Sequence, residues 1–184
     1  MKKSLFNIME LSGILFCMTS VIFLRDLYSV LDGNVTGILF GSVNYSIWEQ
    51  LKPIILSYIL YGLIELMCAR PYFRQFTVSK ALGLYSAVAL FIIMSRLMPE
   101  EFIPVITLSS LTAGFLLSRY LVFSDKNLSF LFSAACFMLL LIFVMYFSFS
   151  AFPPRLDIFL DKPSGMYGII PDYIDLGAET LSNF

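Results

Sequence analysis

Five long apolar runs alternate with short polar breaks along this chain. A helix that crosses a hydrocarbon layer needs about 20 mostly apolar residues. Runs of that kind fall at about 5–24, 51–69, 81–97, 102–123 and 128–152. The first ends at Arg25-Asp26. The second ends at Arg70-Pro71, since the residue before a proline is pushed out of the α region. Pro99-Glu100-Glu101 stops the third, Ser124-Asp125-Lys126-Asn127 introduces the fifth, and Pro153-Pro154 closes it. This pattern predicts an all-α, polytopic integral membrane protein: one transmembrane helical bundle over 1–152 and a polar tail over 153–184.

Between the first two runs lies a mixed stretch, Leu27 to Gln50, with Asp32-Gly33-Asn34 as a turn signal. Its apolar piece, Val35 to Val43, is too short to span and is expected to be re-entrant or interfacial. The first run is expected to be an uncleaved span, because Glu10 interrupts it and no small-x-small site precedes Arg25. In the third run, Gly83 and Ala87 form a small-xxx-small pair, which either permits a close helix crossing or merely reflects how common small residues are in such helices.

Orientation follows from Lys and Arg, since acids contribute little to that rule. With the N-terminus cytoplasmic, Lys2, Lys3, Arg70, Arg74, Lys80, Arg119 and Lys126 lie inside. Arg25, Lys52, Arg96, Arg155 and Lys162 lie outside, so the bias is seven against five. The loop between the second and third runs carries three of these cations and no acid. The tail is then extracytoplasmic.

Composition agrees with the pattern: 59% of residues are apolar, only 14% are charged, and mean hydropathy is +0.85. The partner implied is the lipid bilayer. A net charge of −1 gives no basic surface for nucleic acid. With no histidine, His-based triads, His metal sites and His proton shuttles are excluded. Cys17, Cys68 and Cys136 sit in apolar runs at spacings that match no zinc pattern, so they are expected to be buried structural thiols. No metal or cofactor is expected.

Two groups of side chains carry candidate chemistry. In Ser46-Ile47-Trp48-Glu49, Ser46 and Glu49 match a capping box, and Asn44 offers an earlier cap. Trp48 suits a membrane–water interface. Lys52 follows Glu49 by three residues on one helical face, and Pro53 either opens the helix at its first turn or kinks a continuous one. This is a capped, anchored helix entry, or one wall of a ligand site to which the tail adds Arg155. The second group is intramembrane. An ionisable residue inside a span is costly and faces the bundle interior or a wet cavity. Glu65 follows Ser57 and Tyr61 at four-residue spacing, and Glu10, Lys80 and Arg119 are expected at its level. They form either an ion-pair layer that fixes helix register or part of a proton or substrate path.

The stretch Asn44, Ser46, Trp48, Glu49, Gln50 and Lys52 resembles the Asn-x-Ser-x-Trp-Glu-His-x-Lys motif of a family of small uncharacterised bacterial polytopic membrane proteins. Phe152-Pro153-Pro154, Ile158 to Pro163 with its Asp161-Lys162-Pro163, and Tyr167-Gly168 are similar to that family's tail. The resemblance implies a bacterial plasma-membrane location and a possible outward site built from the two motifs. Gln50 stands in place of the histidine and cannot titrate, so no general-base or metal role carries over.

The leading expectation is a membrane protein that binds or passes a lipid or small molecule at its outer face, with Asn44, Ser46, Trp48, Glu49, Lys52 and Arg155 as contacts. The alternatives are a membrane enzyme acting on a lipid or isoprenoid through Glu49, or a structural subunit with a membrane-protein partner or a second copy of itself. No catalytic constellation stands out.

Overall fold

The computed structural model describes residues 3–124 and 127–169. Lys2, Asp125, Lys126 and the last part of the polar tail lie outside them. The described chain is all-α. Its helices are α1 (Lys3–Arg25), α2 (Leu27–Val30), α3 (Val35–Phe40), α4 (Ile47–Ala69), α5 (Phe73–Leu97), α6 (Ile103–Val122) and α7 (Phe132–Ala151). Five helical segments are long and apolar enough to cross a membrane: Phe6–Arg25, Ile47–Ala69, Phe73–Leu97, Glu100–Val122 and Ser129–Ala151. Their outward faces are apolar, with Leu15, Met67, Leu97 and Phe137 exposed, as a hydrocarbon solvent requires.

The helix boundaries have local causes. At the end of α4, Arg70 escapes the clash with Pro71 by turning left-handed, at φ 45°, and its N–H still bonds the Leu66 carbonyl at 3.2 Å. Asp32 and Gly33 are both left-handed, at φ 48° and 70°, and make the tight turn between α2 and α3. The segment 35–43 is thus a one-and-a-half-turn helix followed by irregular chain.

α5 begins at Phe73, eight residues before the apolar run at 81. Hydropathy hides its first two turns because Arg74, Gln75, Thr77, Ser79 and Lys80 are polar, yet these groups find partners. Thr77 and Ser79 hydroxyls donate to the carbonyls four residues back. The Gln75 amide donates to the carbonyls of Leu121 at 3.1 Å and Ser124 at 3.3 Å. It thereby serves the C-terminal end of α6, where the last four helical carbonyls have no partner of their own.

By its internal contacts the chain divides into two compact units: Met1–Thr19 with Ile54–Phe143, and Ser20–Pro53 with Val144–Phe184. In the first unit, α5 and α6 pack over the longest stretch. Gly83 and Ala87 meet Gly114 there. A Cβ on Gly83 would lie 2.6 Å from the Gly114 carbonyl, and one on Gly114 would lie 2.8 Å from the Gly83 carbonyl and 3.0 Å from the Ala87 Cβ. The small-xxx-small pair is therefore a backbone-to-backbone crossing. Phe6, Met9, Ala69 and Phe76 form one apolar core of this unit, and Val78, Ala81 and Ala135 another. Cys17 is buried, whereas Cys68 and Cys136 are exposed on outward helix faces, where apolar thiols meet lipid rather than core.

In the second unit, the described tail folds back on the entry of α4. A ring of aromatics forms it, with Trp48 5.3 Å from Phe149 and 5.4 Å from Phe159. Phe149 and Phe159 are themselves edge-to-face at 5.1 Å.

Because the α5–α6 crossing is backbone on backbone, Gly114→Leu is expected to lower stability by about 1–3 kcal/mol, the usual cost of overpacking. Gly62→Ala, whose added Cβ meets nothing within 4 Å, should not lower it, and the better helix propensity of alanine should raise it slightly. Thermal unfolding of the two variants in detergent checks this.

Candidate functional site

The entry of α4, in the second unit, is a closed hydrogen-bond system. Ser46 Oγ accepts the Glu49 N–H at 3.3 Å, which is half of a capping box. The other half is rearranged. The Ser46 N–H goes to Asn44 Oδ1 at 2.8 Å, and the Glu49 carboxylate instead accepts the Val43 N–H at 3.0 Å. The ammonium of Lys52 donates to Glu49 Oε2 at 3.0 Å, the Ile38 carbonyl at 3.0 Å and Ser150 Oγ at 2.7 Å. The Ser150 hydroxyl in turn donates to Glu49 Oε1 at 2.8 Å. All three Lys52 protons therefore have acceptors, which a buried ion pair requires if it is not to be destabilising.

Pro53 lies inside α4, so it removes the bond that would satisfy the Glu49 carbonyl. The Ser42 hydroxyl takes its place, at 2.8 Å. The tail closes the arrangement. Asp161 Oδ1 accepts the Tyr45 N–H at 2.8 Å, and the Asn44 amide donates to the Gly168 carbonyl at 2.8 Å. The Gln50 amide donates to the Tyr45 carbonyl at 2.8 Å, a role that needs no titrating group. Trp48 is buried among the aromatics rather than set at an exposed interface, and its indole N–H has no acceptor among the described residues. Arg155 is exposed, and no described bond joins it to Glu49, Lys52 or Asn44.

The first unit holds the other group. Lys80 Nζ lies 3.1 Å from Glu10 Oε1 and 2.6 Å from Glu65 Oε2, joining α1, α4 and α5. All three side chains are buried, Glu65 completely. Aromatic rings surround the ammonium, with centroids 4.7 Å away for Phe115, 5.5 Å for Tyr58 and 5.6 Å for Phe76. Such cation–π contacts add about 0.5–2 kcal/mol each. Tyr61 borders this cluster but turns its hydroxyl to α1, 2.5 Å from the Met9 carbonyl and 2.6 Å from Ser12 Oγ. Arg119 donates to Asn7 Oδ1 at 2.8 Å.

Two cavities adjoin the cluster. One, of about 230 Å³, is walled mainly by apolar residues of α4 and α5, among them Gly62, Leu66, Phe73 and Leu84. Lys80 is the one charged residue lining it. The other, of about 210 Å³, is lined by Asn7, Glu10, Arg119 and four apolar side chains. Sequence pattern did not single out Tyr58, Ser150, Phe115 or Gly62. Tyr58 precedes Glu65 by seven residues, which was a usable sign of a shared face, whereas Ser150 is one serine in an otherwise apolar helix.

A family model matches residues 2–169, nearly the whole described chain. The protein belongs to DUF6512, a family of unknown function. No curated protein and no solved structure matches it.

Breaking the entry ion pair should be costly. Lys52→Met and Glu49→Gln are each expected to lower stability by about 3–5 kcal/mol, because each leaves a buried polar partner uncompensated. The double variant should lose less than the sum. A double-mutant cycle of denaturant unfolding in detergent checks this, and strict additivity would show that the pair is not coupled.

Proposed function

We propose that this protein is a bilayer-resident binding protein for a lipid or small amphiphile, taken up in the groove between α4 and α5 beside Lys80. The observation that carries this reading is the pairing of an apolar cavity with a single charged residue in its wall. Ligand sites commonly combine an apolar lining with a few placed polar groups. Lys80 has three ammonium protons, and among the described residues two carboxyls pair with it, Glu10 and Glu65. The proton left over favours a neutral acceptor on the ligand, such as an ester, carbonyl or alcohol oxygen. Because the Glu10 and Glu65 carboxyls already neutralise Lys80, a phosphate or free carboxylate is disfavoured.

The Asn44–Lys52 stretch, which we take for a hallmark of the family together with the tail, serves in this reading as a clamp. A ligand site at the outer face built from Asn44, Ser46, Trp48, Glu49, Lys52 and Arg155 has less support, because these groups other than Trp48 and Arg155 already bond one another or nearby backbone. The resemblance of the Asn44–Lys52 stretch and the tail supports a bacterial plasma-membrane location, and the distribution of Lys and Arg supports a cytoplasmic N-terminus. A cysteine placed at the exposed Tyr72 in a cysteine-free background should then resist an impermeant thiol reagent added to intact cells.

Gly62 provides a clean test of the groove. A leucine there projects into open space, so the fold should survive while the groove fills. Lipid and small-molecule mass spectrometry of the purified protein should find an amphiphile with the wild type, and at least tenfold less with Gly62→Leu at unchanged melting temperature. Equal amounts in both, or none in the wild type, would overturn the reading.

A further inference from the structure

We infer that Glu10 and Glu65 form a proton-binding site within the membrane, one proton being held between the two carboxyls and exchanged with water through the cavity beside Asn7 and Arg119. The inference rests on the cluster itself and holds whatever occupies the α4–α5 groove.

Charge counting is the first support. Two carboxylates face a single ammonium, so with both ionised the buried cluster carries one uncompensated negative charge. An unpaired charge inside a membrane helix costs several kcal/mol, and a proton is the smallest species that removes it. The geometry is the second. Glu10 Oε1 lies 3.1 Å and Glu65 Oε2 2.6 Å from the one Lys80 ammonium, so the two carboxyls crowd around a single positive charge. Two like charges held this close in a buried site disfavour each other's ionised form, and a proton on one carboxyl removes the repulsion and supplies a donor to the other. Consistently, Glu10 Oε2 and Glu65 Oε1 are buried and meet no protein donor among the described residues.

Among the described residues the surroundings show no other group to supply that charge. From α4 the cluster faces Tyr58 and Tyr61, from α1 Cys17 and Ser12, and from α6 Ser118, with Arg119 at the neighbouring cavity. Of these only Arg119 is a cation, and its guanidinium is engaged with Asn7. The rings of Phe115 and Tyr58 lie over the Lys80 ammonium, at 4.7 Å and 5.5 Å. Access is asymmetric: Glu10 lines the Arg119 cavity and Lys80 lines the apolar groove. At about 30 Å³ per water, the Arg119 cavity has room for several waters to reach the Glu10 carboxyl. Release is then a simple dissociation, in which a carboxyl gives its proton to water and leaves a carboxylate beside Lys80.

Infrared spectroscopy of the full-length protein in detergent reads this directly. At neutral pH, where exposed carboxyls are ionised, the wild type should keep the carbonyl stretch of a protonated carboxylic acid. Glu10→Gln and Glu65→Gln should each abolish it, and Glu101→Gln should not. Lys80→Met, if it folds by circular dichroism, should roughly double the band, since both carboxyls then keep a proton. Leu116→Trp, which fills the Arg119 cavity, should slow the band's isotope shift in heavy water at least tenfold. A wild type without the band, or a band that survives both glutamine variants, overturns the site; an unchanged exchange rate in Leu116→Trp overturns the route.

Discussion

A charge kept from water must be matched by protein, and this requirement organises both units. In one, Lys80 is the point where α1, α4 and α5 converge. Sliding any of these helices by a turn would leave an ammonium or a carboxylate facing hydrocarbon, which is far costlier than the loss of any apolar contact nearby. In the other, Lys52 gathers the α3 carbonyl of Ile38, the carboxylate of Glu49 and the hydroxyl of Ser150. Apolar packing in a bilayer is weakly directional, because lipid tails are as oily as leucine. Matched charges and backbone-close crossings such as Gly83 on Gly114 supply the register that packing alone does not.

The two clusters differ in how completely they are satisfied. At the α4 entry each donor of Lys52 and both oxygens of Glu49 are used, and Ser42 even repairs the carbonyl that Pro53 strands. Such a closed system rigidifies and specifies a fold. Around Lys80 the account is open: among the described residues Glu10 Oε2 and both Glu65 oxygens accept no hydrogen bond, and cavities approach from two directions. Chemistry is more readily placed where the protein has left polar groups unfinished.

Whereas the short α2 and α3 were not legible in the sequence, the five long helices were, because they rest on a local quantity, the length of apolar runs. So was the capping role of Ser46, and so were the turn at Asp32-Gly33 and the stop at Arg70-Pro71, all short-range backbone effects. The first two turns of α5 were not, since Gln75 and Lys80 look like loop residues until α6, α1 and α4 bring their partners. Trp48 read as an interfacial anchor for the same reason: Phe149 and Phe159, about 100 residues away, decide its burial. Proximity of Glu10, Glu65 and Lys80 could be anticipated from their depth in successive spans, but depth does not reveal which oxygens are left without donors.

The clip between the tail and the α4 entry bears on how the chain is made. Tyr45 bonds Asp161, and Asn44 bonds Gly168, across sequence separations of 116 and 124 residues. During synthesis the start of α4 therefore leaves the ribosome long before the residues that fasten it. Over that interval Tyr45 and Asn44 lack these partners, and the entry exists in a provisional form. Completion of this end of α4 must wait until Asp161 and Gly168 have emerged, so the second unit closes only after more than 100 further residues have been made.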